Sequence, residues 1–280
     1  MKIKIISDST CDLPKELLEK HDISIVPLTV VKDDEAFSDG ISITTEDIFA
    51  HVAAGGNLCT TAAVGVLDYQ EKFAEFADKY DAVIHINISS ELSSSYQNAT
   101  LAADEFDNVV TIDSRNLSTG QGLVVLKACE LSESASSVEE IKEKLLDFIP
   151  KVESSFLIDR LDYMVKGGRC STVAALGANL LGLKPCIEVK DGKMSVVKKY
   201  RGNYARSLAS YVKERLTNRD DLDTKYLFVT YTPISDECTK SVEAAVAECS
   251  DFENTFWAKA GCTISCHCGP GTLGVLFAKK

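Results

Sequence analysis

Apolar residues in the first half of the chain alternate between short continuous runs and helical spacing. Continuous runs predict buried strands at residues 2–7, 23–31, 82–88 and 109–113. Apolar positions three and four residues apart predict helices at residues 13–21, 44–54, 66–80, 96–105, 118–131 and 138–148. Strands that alternate with crossover helices are typical of a parallel sheet covered on both faces.

Three of these helix starts carry capping signals. Asp12 is a predicted N-cap, with Pro14 in the first turn of the helix. Residues 44–47 have the form of a capping box, and so does the pair Ser118 and Gln121.

The pattern changes near residue 150. Residues 185–190 and 193–199 predict a β-hairpin, because the Asp191-Gly192 pair between them favours a type I′ turn. Further strands are predicted at 154–158, 226–231 and 273–278, and helices at 204–216 and 235–249, with a short helix ending at Gly167-Gly168. Hairpins mixed with crossover helices indicate a second α/β domain with a mixed sheet. We therefore predict two domains, at residues 1–152 and 153–280, with the boundary between Pro150 and Ser154.

Charge and hydropathy narrow the possible partners. The 280-residue chain has a formal net charge of −12 at pH 7, which argues against a nucleic-acid partner and disfavours adhesion to anionic membranes. The N-terminus enters a strand pattern without the features of a signal peptide. The longest weakly polar run, residues 173–183, is too short to span a bilayer. We therefore expect a cytoplasmic protein without stable membrane insertion.

The ten cysteines show no disulfide framework, and in a reducing compartment most are expected to be small core residues. A cluster of possible zinc ligands consists of Cys262, Cys266, His267 and Cys268. Our interpretation places this cluster on a strand, where neighbouring side chains point to opposite faces and cannot easily converge on one ion. No metal site is predicted.

Common nucleotide and hydrolase motifs are absent or misplaced. The chain has no P-loop, no G-x-S-x-G elbow and no H-E-x-x-H motif. Residues 269–274 match G-x-G-x-x-G, but they lie near the C-terminus and lead into a predicted strand, so no helix follows to bind a pyrophosphate. No cofactor is predicted.

Three polar segments could form one site for a carboxylate. Residues 60–63 form a predicted turn, residues 89–97 place five serines at a strand-to-helix turn, and His267 precedes a Gly-Pro-Gly turn. Hydroxyls and a protonatable imidazole offer a carboxylate several hydrogen bonds. The serines could equally serve only as helix caps, and the histidine could be structural. Periodicity does not show that the three segments meet.

The chain resembles the DegV family along essentially its whole length. The matching stretches are residues 7–14 (SDSTCDLP), 88–99 (ISSELSSSYQNA), 112–114 (IDS), 118–122 (STGQG), 161–169 (LDYMVKGGR), 183–185 (LKP) and 267–274 (HCGPGTLG). Each motif is modest alone, but their order and spacing together are specific.

The resemblance implies a two-domain α/β protein that binds one long-chain fatty acid in a tunnel between its domains. Such a protein presents the fatty acid to an ATP-dependent fatty acid kinase, a step of bacterial phospholipid metabolism, and is not itself an enzyme. The resemblance places the acid head group at Thr60, Thr61, Ser93 and His267, and a kinase-docking charge at Arg201.

Two departures from the family pattern affect this head-group site. The usual T-S-x-P-S turn reads TTAAV at residues 60–64, and the usual glycine after Ser93 is Ser94. Ser94 adds a side chain where the backbone approaches the ligand, so it either narrows the head-group space or adds a hydroxyl.

Two other classes of function compete with the fatty-acid carrier. A serine hydrolase acting on acyl esters would use Ser93 as nucleophile and His267 as base, although no elbow motif surrounds Ser93. A pure scaffold would bind no lipid. In a carrier, each buried methylene contributes about 0.8 kcal/mol, so the tail supplies most of the affinity. The apolar run 173–183 is then either a tunnel wall or an ordinary core helix.

Overall fold

Strands and helices alternate through the first half of the molecule. The computed structural model describes residues 1–174, 182–249 and 251–280. In chain order the first half contains β1 (Ile3–Asp8), α1 (Lys15–Lys20), β2 (Ser24–Val26), β3 (Thr29–Lys32), β4 (Glu35–Ser38), α2 (Thr45–Ala53), β5 (Thr60–Ala62), α3 (Val66–Ala77), β6 (Ala82–Asn87), α4 (Ser95–Ala103), β7 (Val109–Asp113), α5 (Ser118–Ser132) and α6 (Val138–Phe148). Strands β2, β1, β6 and β7 form a parallel sheet in that order, which confirms the predicted parallel sheet.

Helices cover both faces of this sheet. Ile5 and Ile84 pack with α5 and α6 on one face, whereas Ile6 and Val83 pack with α3 and α4 on the other. Successive side chains of a strand alternate between faces, so a sheet covered on both sides favours apolar residues at most positions of its strands. This arrangement explains why the strands appear in the sequence as continuous apolar runs.

The segment 23–31 is two strands in two sheets, so its prediction as a single strand was wrong. β2 ends at Val26 and β3 begins at Thr29. Pro27 lies between them and has no backbone N–H to donate to a strand ladder, so one strand does not continue through it. β3 instead pairs with β4 and β5 in a small antiparallel sheet.

The second half is built on a mixed six-stranded sheet. In chain order it contains β8 (Val152–Leu157), α7 (Asp162–Gly167), α8 (Ser171–Ala174), β9 (Leu183–Lys190), β10 (Lys193–Arg201), α9 (Tyr204–Leu216), β11 (Leu222–Tyr231), α10 (Asp236–Cys249), β12 (Asn254–Lys259), α11 (Cys262–Cys268) and β13 (Leu273–Lys279). The strand order is β10-β9-β8-β13-β11-β12, with β11 and β12 parallel and the other neighbours antiparallel. The predicted mixed sheet is confirmed.

The predicted β9–β10 hairpin is also confirmed. Asp191 has φ 50° and Gly192 has φ 80°, and both values are positive, as a type I′ turn requires.

Two of the three predicted caps were wrong. Asp12 has φ 49° and ends a short 3₁₀ turn at Ser9–Cys11, so it does not cap α1, whose N-cap is Pro14. Ser118 has φ 51° and donates its hydroxyl to Asp12 across 2.5 Å, while Gln121 binds the end of β1. These side chains serve tertiary contacts instead of local caps.

The capping box of α2 is confirmed. The Thr44 hydroxyl accepts the N–H of Asp47, and the Asp47 carboxylate accepts the N–H of Thr44.

Residues 262–268 form helix α11, so their prediction as a strand was wrong. The N-terminus of α11 is held by carboxylates from the first half of the chain. The Gly261 N–H donates to Asp12 across 2.9 Å, and the Cys262 and Thr263 N–H groups donate to Asp39 across 2.9 and 3.2 Å. Because these partners are more than 220 residues away in sequence, no local capping pattern predicts the start of the helix.

An apolar cluster lies where the two halves meet. Ile88, Leu92 and Leu117 from the first half pack against Met164, Met194 and Ile264 from the second half. The proposed division into residues 1–152 and 153–280 falls at the start of β8. Across the three described stretches, no helix is long and apolar enough to cross a bilayer.

Candidate functional site

A small cavity lies within this apolar cluster. Its volume is about 50 Å³, and a second cavity of about 20 Å³ shares Leu117, Ile264 and Cys268 with it. The lining of the first cavity is mostly apolar and comprises Leu28, Thr61, Ala63, Ile88, Leu92, Ser93, Leu117, Met164, Arg169, Met194, Thr263, Ile264, His267 and Cys268. The structure therefore brings three sequence-predicted residues, Thr61, Ser93 and His267, to one cavity.

Thr61 and His267 are hydrogen-bonded to each other although 206 residues separate them. The Thr61 Oγ1 and His267 Nε2 atoms are 2.8 Å apart. Thr61 lies on β5, and α11 carries His267. Thr60, the preceding residue of β5, is exposed and does not line the cavity, because successive side chains of a strand point to opposite faces. Of the two predicted threonines, the structure thus places only Thr61 at the cavity.

The imidazole of His267 is neutral at pH 7. Burial, reinforced by the positive charge of Arg169, lowers the pKa of His267 to about 4. Gly167 leaves the space that the ring occupies, because a Cβ atom at residue 167 would lie 2.3 Å from His267 Nδ1. The protonatable imidazole expected from the sequence is therefore a neutral hydrogen-bonding ring in the structure.

Arg169 is a cavity residue that sequence reasoning missed. It follows Gly168, whose φ of 68° ends α7 in the left-handed conformation. The guanidinium donates through Nη1 to the Gly167 carbonyl across 2.8 Å. The available signal was the G-G-R sequence at residues 167–169, which lies within one of the family-like stretches. Arg169 supplies the positive charge that His267 lacks.

Ser93 lines the cavity, whereas Ser94 does not. The Ser93 hydroxyl accepts the N–H of Ser95 across 3.2 Å and lies 2.9 Å from the Ser95 hydroxyl. Ser94 is exposed and precedes the first turn of α4. Ser94 therefore neither narrows this cavity nor adds a hydroxyl to it. Arg201 is exposed at the end of β10, away from the cavity lining.

The geometry does not assemble the nucleophile–base pair of a serine hydrolase. Ser93 and His267 both lie in the described part of the chain, and no hydrogen bond joins them. The imidazole is bonded to Thr61 instead.

The cysteines around α11 are buried thiols. Cys59, Cys262 and Cys266 pack in one apolar cluster with Val30 and Ile48. Burial raises the pKa of the Cys262 thiol to about 12, and burial likewise raises the pKa of Cys59 and Cys266. Within residues 1–174, 182–249 and 251–280, no three His, Cys, Asp or Glu side chains group as metal ligands.

A larger cleft, of about 650 Å³, lies elsewhere between α6, β7 and β9. Its charged side chains are largely paired. Arg219 binds Glu153 through two hydrogen bonds of 2.8 and 2.9 Å, and Arg215 binds Glu188 across 2.7 Å. None of the residues predicted from the sequence to bind a ligand lines this cleft.

Fold and site together define a two-domain α/β protein with a mostly apolar internal cavity that has a few polar groups. The family model described as an uncharacterised protein of the DegV family matches residues 2–280. The chain belongs to the DegV family. It is 36% identical to a DegV domain-containing protein of Clostridium acetobutylicum, over 100% of this chain and 99% of that protein.

Solved structures of this family share the fold. A DegV family protein from Thermus thermophilus, described by its fatty acid binding, has a TM-score of 0.90 and 28% identity, covering 100% of both chains. A stearic-acid-binding protein from Eubacterium ventriosum has a TM-score of 0.83 and 29% identity, covering 99% of this chain and 98% of that one. The fatty acid binding protein DegV from Bacillus subtilis has a TM-score of 0.83 and 27% identity, covering 100% of both chains.

Proposed function

We propose that this protein binds one long-chain fatty acid between the halves 1–152 and 153–280. The observation that carries the proposal is the convergence of Thr61, Ser93 and His267 on a cavity that is otherwise mostly apolar. Structural neighbours from Thermus thermophilus and Eubacterium ventriosum that are described as fatty-acid-binding support the same ligand class. The acid head group contacts the polar residues of the cavity, and the tail lies along the apolar residues.

The polar residues suit a carboxylate. Thr61 and Ser93 offer hydroxyl donors, and Arg169 adds a positive charge nearby. Hydrogen bonds to a charged group contribute about 1.5–3 kcal/mol each, more than bonds between neutral groups. Neutral His267 does not form an ion pair with the carboxylate. Its role is to hold the Thr61 hydroxyl in position through their hydrogen bond and to shape the site.

The tail requires the cavity to open. Ligand sites usually enclose about 300–1,000 Å³, far more than the cavity of about 50 Å³ observed here. Met164 and Met194 line it, and unbranched methionine side chains can repack around a ligand. Of the candidate tunnel wall 173–183, Val173 is buried in the same apolar cluster, and residues 175–181 lie outside the described residues.

We further propose that the bound carboxylate is presented to a fatty acid kinase. Arg169 is exposed, so the polar side of the cavity lies near solvent, where a partner could reach the acid. The kinase would transfer the terminal phosphoryl group of ATP to the carboxylate, giving an acyl phosphate and ADP, and this chain would contribute no catalytic residue. Exposed Arg201 is the proposed docking charge.

All ten cysteines are free, which supports a cytoplasmic location.

Titration of delipidated protein with stearic acid tests the binding proposal. Ser93→Ala and His267→Ala should each raise the dissociation constant for stearic acid about tenfold, since each disturbs a hydrogen bond at the head group. Ser94→Ala is the matched control and should bind like the wild type, because Ser94 does not line the cavity. A wild-type protein that binds no fatty acid would contradict the proposal.

A second assay separates the carrier from the hydrolase. Incubation with a p-nitrophenyl acyl ester should release no nitrophenol above the Ser93→Ala background. Turnover that depends on both Ser93 and His267 would favour the hydrolase instead.

A third assay addresses the kinase. Arg201→Gln should leave the dissociation constant for stearic acid unchanged and lower the rate of acyl phosphate formation by an added fatty acid kinase. An unchanged rate would remove Arg201 from the docking proposal.

A further inference from the structure

The cleft of about 650 Å³ between α6, β7 and β9 is positively charged, although the chain as a whole is strongly negative. Its lining contains six lysine and arginine side chains and four carboxylates, an excess of two positive charges. The whole chain has a formal net charge of −12. A concave site that concentrates one sign of charge attracts ligands of the opposite sign, so this cleft favours an anion.

The excess positive charge of the cleft lies mainly on lysines. Glu153 and Glu188 are each bound by an arginine of the same lining. Lys142 and Lys190 are exposed, and neither side chain has an ion pair or hydrogen bond within the described part of the chain. Lys279 lies 3.6 Å from a Glu153 oxygen that already binds an arginine. These ammonium groups are therefore available to a ligand.

The other two carboxylates of the lining do not neutralise these lysines. Asp113 accepts the hydroxyl and the N–H of Ser90 across 2.5 and 3.1 Å. Asp191 lies in the β9–β10 turn, and its carboxylate forms no ion pair with any cation that the structure describes.

The remainder of the lining is largely apolar and reaches into the core. Ile112, Ile149, Val152 and Val189 line the cleft although each of them is buried. Leu146 lines it as well and is 55% exposed. Small-molecule sites usually enclose about 300–1,000 Å³ and are lined mainly by apolar side chains with a few polar groups. A recess of this volume that extends to buried residues suits a small molecule better than the flat surface of a protein partner.

We propose that this cleft binds a small phosphate monoester with an apolar or aromatic body. A phosphate monoester carries about −1.5 to −2 charge at pH 7, which matches the excess of two positive charges, whereas a carboxylate carries only one negative charge. Lysine ammonium groups bind phosphate as point charges, and Leu146 and Tyr96 offer apolar surface to the body of the ligand.

This site is separate from the proposed fatty-acid site. The cleft and the cavity that contains Thr61, Ser93 and His267 share no lining residue. The proposal therefore goes beyond fatty acid binding and does not depend on it.

Three probes with one aromatic body test the proposal. Dissociation constants of 1-naphthyl phosphate, 1-naphthoate and 1-naphthol are measured by calorimetric titration in the presence of excess stearic acid, which occupies the proposed fatty-acid site. The phosphate should bind once per chain and at least about tenfold more tightly than naphthol, with naphthoate between them. Equal affinity for all three probes, or no binding of the phosphate, would overturn the proposal.

A lysine variant locates the anion. The double variant Lys142→Gln, Lys190→Gln should lose about tenfold in affinity for naphthyl phosphate and less than twofold for naphthol, since only the phosphate interacts with the ammonium charges. Lys240→Gln is the matched control, because Lys240 is also exposed and unpaired among the described residues but lies on α10, outside the cleft. It should bind both probes like the wild type. Unchanged affinity for the phosphate in the double variant would overturn the proposal.

A leucine variant locates the aromatic body. Leu146→Ala should weaken naphthyl phosphate and naphthol by the same factor, about threefold, because it removes apolar surface without changing charge. Leu101→Ala is the matched control, since Leu101 is 52% exposed on α4 and does not line the cleft. Losses of the same size in both leucine variants, or in neither, would contradict binding of the probe in this cleft.

Discussion

His267 reaches the cavity only because Gly167 has no side chain. A Cβ atom at residue 167 would lie 2.3 Å from His267 Nδ1, well inside van der Waals contact. The sequence shows the glycine pair 167–168 clearly, but only as the end of a short helix. Its second role, as space for a histidine 100 residues away, depends on packing and has no local pattern.

Gly167→Ala should therefore weaken fatty acid binding. The added methyl group displaces His267 from Thr61, and we expect a loss of about tenfold in affinity for stearic acid by calorimetric titration. Gly56→Ala is the matched control, because its Cβ would collide with His51, a histidine outside the site. Equal losses in both variants would contradict a specific role for Gly167.

His85 should make the protein less stable as the pH falls below about 6.5. It is fully buried beside the rings of Tyr69 and Phe73, and burial lowers its pKa to about 3. Between about pH 6.5 and pH 3 the unfolded chain binds a proton at this site that the folded chain does not. Stability contributed by the neutral ring is thus lost with decreasing pH.

Urea unfolding of the wild type and His85→Phe at pH 7 and pH 5 checks this expectation. From pH 7 to pH 5 the wild type should lose about 2 kcal/mol more unfolding free energy than the variant. Parallel pH dependence of the two proteins would show that His85 does not titrate in this way.

At the scale of elements, local sequence patterns were sufficient where the stabilising interactions are themselves local. The helices Val138–Phe148 and Tyr204–Leu216 and the strand Val109–Asp113 have the predicted bounds, and the Asp191-Gly192 turn has the predicted geometry. Helix α11 was missed because its N-terminal N–H groups bind Asp12 and Asp39, which are distant in sequence. The prediction of Ser118 as a helix cap was wrong for the same reason, because its hydroxyl donates to the distant Asp12 instead of capping its own helix.

Asp39→Ala should destabilise the protein and loosen the head-group site. The buried Asp39 carboxylate accepts hydrogen bonds from Cys262 and Thr263 and from the Ser9 hydroxyl. Loss of a helix cap costs about 0.5–2 kcal/mol, and unpaired donors left in the interior add to that cost. We expect about 2 kcal/mol less unfolding free energy in urea and weaker binding of stearic acid, since α11 carries His267.

Asp47→Ala provides the comparison for this variant. Asp47 belongs to the exposed capping box of α2. Asp47→Ala should therefore lower the unfolding free energy by less than Asp39→Ala does, and it should leave the binding of stearic acid unchanged. If Asp39→Ala retained wild-type affinity, α11 would not depend on that carboxylate for the geometry of the site.

At the scale of the whole molecule, the two-domain α/β architecture could be predicted because its parallel and mixed sheets leave different patterns in the sequence. The site could be predicted only in part. Thr61, Ser93 and His267 came from motifs, whereas their meeting at one cavity depends on contacts between elements up to 206 residues apart. Arg169 was missed and Thr60 and Ser94 lie outside the cavity, because a motif does not state which way each side chain points.

Native mass spectrometry of the purified protein, followed by extraction under denaturing conditions, tests the central claim most directly. The account predicts one fatty acid bound per chain, released on unfolding, depleted in Ser93→Ala and His267→Ala and retained in Ser94→Ala. Protein that carries no fatty acid when purified, and takes up none when incubated with stearic acid, would contradict it.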